Sequence, residues 1–176
     1  MKLTLIIGMT QQGKSRYTKS LIGYNEKGEP ISDAAKRNCF VFDVNNEYPW
    51  LPMERPDENL KQSRFFGDFE IFVNKCEIKR NNNIVFEEAT GYLTGNIGRR
   101  MVKLIIGKAH TKNNYFCLFH SINSVPEAII QVCNYVVLFK TMDEVNNLDK
   151  HMRFLNKQHQ YLKGKPDHST LIIKTI

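Results

Sequence analysis

The chain has 176 residues, enough for one domain with a substantial core, and its 24% charged and 41% hydrophobic residues are those of an ordinary globular protein. It carries no apolar run approaching the ~18 residues of a membrane span, which excludes an integral helical membrane protein as the expectation. A net charge of +7 permits a polyanionic partner such as DNA, but the basic residues are scattered rather than gathered into one block.

The chain opens on "KLTLIIG", a short apolar run ending in glycine, which predicts a buried first strand. It is too short for a secretion signal and leads straight into a glycine loop, so it is assigned to the mature fold. "GKSRYTKSLIGY" predicts a helix, with Tyr17 and Leu21 on one face. "EKGEPISDAAKR" is loop, and "NCFVFDV" a second strand. "YPWLPMERP" holds three prolines and predicts an irregular connection. "DFEIFVNK" fits either a short strand or a helical turn.

"NNIVFEEA" predicts a third strand that runs into two acids. "NIGRRMVKLIIGKAH" follows as a helix with Met101, Leu104, Ile105 and either Ala109 or Lys108 at helical spacing. "NYFCLFHS" is a fourth strand, "VPEAIIQVC" a short helix with Pro126 near its first turn, and "NYVVLFKT" a fifth strand. "MDEVNNLDKHMRFLNKQ" predicts a helix burying Val145, Leu148, Met152 and Leu155, and "STLIIKT" a last strand suited to an antiparallel edge. Strands alternating with helices, most of them continuously apolar, predict an α/β fold: a mostly parallel sheet covered by helices on both faces, in a single domain over residues 1–176.

The stretch "GMTQQGKS" has the spacing G-x-x-x-x-G-K-S between a predicted strand and a predicted helix. This is the phosphate-binding loop. Backbone N–H groups of Gly8, Met9, Thr10, Gln11, Gln12, Gly13, Lys14, Ser15 and Arg16 would surround the phosphates of ATP. Lys14 would reach the β- and γ-phosphates and the Ser15 hydroxyl would ligate Mg²⁺. The acid pair supplies the remaining parts. Glu87 is placed at the metal and Glu88 as the general base that polarises an attacking water. A whole strand, "CFVFDV", separates loop and acid pair in sequence, consistent with P-loop enzymes in which an additional strand parts the two in the sheet. His120 and Ser121 end the fourth strand, where a polar group can sense the γ-phosphate, and His120 is the candidate. The other histidines (His110, His151, His159 and His168) have no partners at ligand spacing and are expected at the surface. The four cysteines form no C-x-x-C pair and no zinc spacing; they are read as reduced and structural, which suits the cytoplasm.

In this order, "GMTQQGKS", "DVNNEY" (Asp43, Glu47, Tyr48), "IVFEEA" and "CLFHSINSVP" resemble the HerA/FtsK superfamily of P-loop ATPases, including small phage DNA-packaging members and zonula-occludens-toxin-like relatives. The resemblance spans about residues 1–141. It implies a three-layer RecA-like fold of the additional-strand, catalytic-glutamate type. It further implies Mg²⁺-dependent ATP hydrolysis coupled to DNA packaging or translocation, and a homo-oligomeric ring, often a hexamer. An arginine from the neighbouring subunit would then reach the phosphates, with Arg99, Arg100 and Arg153 as candidates. Two departures stand out: Glu87 replaces the family's usual Asp at the metal position, and His120 replaces a frequent glutamine. Two other readings remain open. One is a small nucleotide or metabolite kinase, for which an arginine-rich lid is missing. The other is a phage morphogenesis protein that binds nucleotide without hydrolysis. No N-K-x-D base-reading motif favours a GTP switch.

Overall fold

A computed structural model of the chain describes residues 1–92, 95–144 and 147–175, with the side chains of 95–98 and 109 outside that description. Seven strands form one sheet: β1 (Leu3–Ile7), β2 (Asn38–Phe42), β3 (Ser63–Phe65), β4 (Asn82–Phe86), β5 (Asn114–Phe119), β6 (Tyr135–Leu138) and β7 (Leu171–Lys174). Their spatial order is β3-β2-β4-β5-β1-β6-β7. Every pairing is parallel except β6 with β7, so the last strand is the antiparallel edge.

The central strands are apolar throughout because both of their faces are covered. Leu3, Leu5 and Ile7 of β1 join Phe40, Phe42, Ile84 and Phe86 in the core on one face. Ile6 points the other way, into a second core with Cys39, Val41, Val85 and Phe116. The helices are α1 (Lys14–Leu21), α2 (Phe69–Ile78), α3 (Ala89–Tyr92), α4 (Gly95–Ile106), α5 (Lys108–Thr111), α6 (Glu127–Ile130) and α7 (Asn156–Lys163).

The ambiguous segment after residue 67 is helical. The Asp68 carboxylate accepts from the backbone N–H groups of Glu70 (2.7 Å) and Ile71 (3.2 Å), which caps α2 at its start. Phe69, Phe72, Val73 and Cys76 then fall on one buried face. Within it, Phe72 lies 4.5 Å from Phe40 and 5.0 Å from Phe42, ring centroid to centroid, and meets Phe86 edge-on at 5.3 Å.

His159, expected at the surface, is buried, with its Nε2 2.8 Å from the Asp143 carbonyl. Three further expectations are corrected. The helix expected over residues 142–158 is a 3₁₀-helix (Lys150–Leu155) leading into α7. Asp143 is occupied elsewhere, accepting from the Ile122 N–H at 2.7 Å, and the Asp149 N–H donates to the Asn123 side chain at 3.0 Å. These bonds to the segment after β5 compete with helix formation. Leu148, Met152 and Leu155 are nevertheless buried as expected, and Val145 lies outside the described residues. Second, the helix expected over 96–110 is divided at Gly107 into α4 and α5, and the side chain of Ala109 lies outside the description. Third, the strand that parts loop and acids in the sheet is β5, not β2; β2 lies on the far side of β4.

Truncating the aromatic hub should be costly. Phe72→Ala is expected to lower stability by about 3–5 kcal/mol, read as a shift in the denaturant midpoint.

Candidate nucleotide-binding and catalytic site

The glycine loop leaves β1 under close constraint. The Gly8 N–H donates to the Phe119 carbonyl (3.0 Å) and the Met9 N–H to the Lys140 carbonyl (2.8 Å), so the loop hangs from the ends of β5 and β6. A Cβ on Gly8 would stand 2.5 Å from Cβ of Phe139, so no side chain fits there. Gly13 adopts φ +87° immediately before α1, a left-handed turn that glycine makes without strain. The loop amides and the positive end of α1 therefore face one cleft.

Opposite stand the acids at the end of β4. Glu87 is 3% exposed, and its Oε1 is buried with no hydrogen-bond partner among the described residues. Burial pushes its carboxyl up to about 7, against smaller opposing pulls from the Tyr48 and Ser15 hydroxyls. The Tyr48 hydroxyl is likewise buried and faces Glu87, and burial raises it well above the ordinary tyrosine value.

Asp43 builds the turn that brings Tyr48 there. Its carboxylate accepts from the N–H groups of Glu47 (2.7 Å) and Tyr48 (3.0 Å) and pairs with Arg64 of β3 at 3.3 Å. Glu47 lines the cleft and pairs with Lys19 of α1 at 3.4 Å. The sequence pattern marks Asp43, Glu47 and Tyr48 through resemblance alone; their bonds assign Asp43 the part of organiser.

Lys14, His120 and Glu88 form a chain across the cleft. The Lys14 ammonium donates to the carbonyls of Gly8 (2.6 Å) and Met9 (2.9 Å) and lies 3.3 Å from Nδ1 of His120. His120 Nε2 lies 2.6 Å from Oε1 of Glu88. An ammonium can only donate, so Nδ1 accepts; a neutral ring then carries its proton on Nε2 and donates it to Glu88. Burial lowers the Lys14 pKa, while the carboxylates of Glu88 and Glu87 act in the opposite direction.

This cleft of about 490 Å³ holds Thr10, Gln11, Gly13, Lys14, Ser15, Arg16, Glu87, Glu88 and His120 together on its lining. Gln12 is buried instead, its side-chain carbonyl accepting from the His168 N–H at 3.2 Å. Arg16 is exposed and pairs with Glu26 at 2.5 Å. A second cleft of about 390 Å³ shares Gly13 and Arg16 with the first and is walled by Tyr17, Phe139 and His168. The three candidate arginines lie apart from the cleft lining. Arg100 is held against α2 by Glu77 (2.8 Å), Glu70 (3.3 Å) and Asn74. Arg99 and Arg153 are exposed, on α4 and on the 3₁₀-helix.

No protein-family profile matches the sequence, and no curated protein matches it. Solved structures do. The genome packaging NTPase B204 from Sulfolobus turreted icosahedral virus 2, in complex with sulfate, superposes with a TM-score of 0.74 at 13% identity, covering 98% of this chain and 90% of its own. The fold is shared with B204. The same protein in complex with ATPγS gives 0.73 at 14% identity, over 98% of this chain and 91% of its own. B204 from Sulfolobus turreted icosahedral virus, a DNA-packaging ATPase, gives 0.68 at 12% identity over 99% and 98%. EssC ATPases 2 and 3 from Geobacillus thermodenitrificans match over 98% of this chain but 37% of theirs, with a TM-score of 0.62 at 10% identity. The shared fold bears out the three-layer α/β architecture expected from the sequence.

The donors present fit Mg²⁺. The buried, unpartnered Oε1 of Glu87 and the Ser15 hydroxyl are hard oxygens. Among the described residues no cluster of three or more His, Cys, Asp or Glu could hold a metal. One carboxylate and one hydroxyl are donors of the kind Mg²⁺ takes beside substrate phosphates.

Glu87 makes stability depend on pH. Below 4.5 its carboxyl is protonated both folded and unfolded. Between 4.5 and about 7 the unfolded chain ionises this carboxyl while the buried native one keeps its proton, so stability is lost over that window and levels off above it. In magnesium-free buffer, Glu87→Gln should be more stable than the wild type by about 3 kcal/mol at pH 8, a gain that vanishes near pH 4. Chemical denaturation across pH checks this.

Proposed function

We propose that the chain is a Mg²⁺-dependent ATPase, one domain over residues 1–176, that serves as a subunit of a DNA-packaging or DNA-translocating motor. The observation carrying this reading is that Lys14 and Ser15 of the glycine loop and Glu87 and Glu88, directly after β4, line a single cleft. The loop amides and Lys14 bind the triphosphate, and the second cleft beside Tyr17 and His168 has room for ribose and base. Ser15 and Glu87 hold Mg²⁺, which supplies charge neutralisation on the phosphates when bound. Glu88 takes the proton from the attacking water.

The fold shared with B204 supports the packaging assignment, and the net charge of +7 suits a partner rich in phosphate. Assembly into a ring would bring an arginine of a neighbouring copy to the nucleotide. Arg99, Arg100 and Arg153 are the candidates, and Arg100 is bound to Glu77 of α2. No helix among the described residues is long and apolar enough to cross a membrane. The four buried free cysteines favour a reducing compartment, the cytoplasm of a host cell if the gene is viral.

Steady-state assays with and without double-stranded DNA test this reading. The wild type should hydrolyse ATP faster with DNA. Glu88→Gln should bind ATP yet lose about 10²- to 10⁴-fold in kcat. A rate indifferent to DNA argues against a motor, and equal turnover by Glu88→Gln removes Glu88 as the base.

A further inference from the structure

The geometry points to His120 as a positioning residue that couples phosphate capture by Lys14 to the orientation of Glu88. An ammonium has three N–H donors, and Lys14 has three acceptors: the Gly8 carbonyl at 2.6 Å, the Met9 carbonyl at 2.9 Å and His120 Nδ1 at 3.3 Å. Lys14 is 8% exposed, so an acceptor given up must be replaced. When a phosphate oxygen arrives, one of the three bonds is exchanged for it. The bond to His120 is the longest, and it alone goes to a side chain that can turn; the two carbonyls belong to the loop backbone.

The far end of the imidazole is bonded to the catalytic carboxylate. With Nδ1 accepting from Lys14, Nε2–H donates to Glu88 at 2.6 Å and pins it. The backbone beneath the ring is itself fixed, since the His120 N–H donates to the Thr90 hydroxyl at 3.2 Å, in α3 just beyond Glu88. Loss of the Lys14 bond therefore leaves the ring held by its backbone and by Glu88 alone. The His120 and Glu88 side chains are 37% and 25% exposed, which gives both room to reorient towards the bound phosphates. Glu88 is thus held back until Lys14 engages phosphate; the ring, still bonded to Glu88 through Nε2, then turns and carries the carboxylate with it, so the ring both restrains and delivers Glu88. The coupling is a population shift, because phosphate stabilises only the arrangement in which Lys14 has left His120.

The catalytic consequence rests on the ATPase reading; the hydrogen-bond chain does not. Two-bond ¹H–¹⁵N correlation spectra of the imidazole-labelled full chain read the chain directly. Without ligand, His120 should be protonated on Nε2 and bare on Nδ1. Saturation with pyrophosphate, checked by calorimetry, should move the Nδ1 resonance. In Lys14→Met, Nδ1 should already be displaced without ligand. A proton on Nδ1 in the free protein, or an Nδ1 signal unmoved at saturation, overturns the coupling. Pyrophosphate that fails to bind overturns the phosphate-loop reading as well, and calorimetry tells the two failures apart.

Kinetics supply the second arm. His120→Ala should lower kcat by about 10- to 100-fold with KM little changed, the size of effect seen when a positioning partner is lost. His120→Gln keeps an acceptor for Lys14 and a donor for Glu88 and should restore most of the rate. Equal losses in the two variants would contradict the coupling.

Discussion

The site depends on one constraint of the sheet: β5 lies between β1 and β4. Neighbouring strands stand about 4.8 Å apart, so two steps place the glycine loop and the acid pair about 10 Å from each other. That distance leaves a cleft between Lys14 and Ser15 on one side and Glu87 and Glu88 on the other, rather than a closed ion pair. It also puts the end of β5 at the centre of the cleft, where His120 can touch both walls. Because all three strands are parallel, their carboxyl ends open on the same edge, the usual location of ligand sites in such sheets.

Within that cleft burial and charge oppose each other. Desolvation lowers Lys14 and raises Glu87, so each group alone is driven towards its neutral form. The carboxylates offset the effect on Lys14. Lys14 interacts with Glu87 as well, but burial prevails at that carboxyl. Around it lie the Tyr48 and Ser15 hydroxyls, with Asp43 and Glu47 adding negative charge. A buried acid in acidic surroundings is electrostatically uncomfortable alone and relieved by a divalent cation, which is the role its place opposite the loop serine suggests. Tyr48 is brought beside Glu87 by the turn that Asp43 builds.

Much of the fold was legible in the sequence because the central strands are buried on both faces and therefore read as unbroken apolar runs. β3 was not, since Ser63–Phe65 is three residues long with a charged arginine in the middle. The segment after residue 67 carries both periods: Phe69, Ile71 and Val73 alternate, while Phe69, Phe72, Val73 and Cys76 fit a helix. The Asp68 cap decides in favour of the helix. The region from residue 142 to 155 was misread because its polar groups bond to residues 122 and 123, about 20 positions earlier. The loop and the two glutamates could be found by spacing alone. The bond between His120 and Glu88 could not, because they are 32 residues apart and meet only when β4 and β5 pair.

A crystal structure of the chain with Mg²⁺ and ATPγS tests the central claim most directly. The account predicts the triphosphate along the amides of residues 8–15 and the metal between the Ser15 hydroxyl and the Glu87 carboxylate. A nucleotide seated elsewhere, or a metal bound without either side chain, would contradict it.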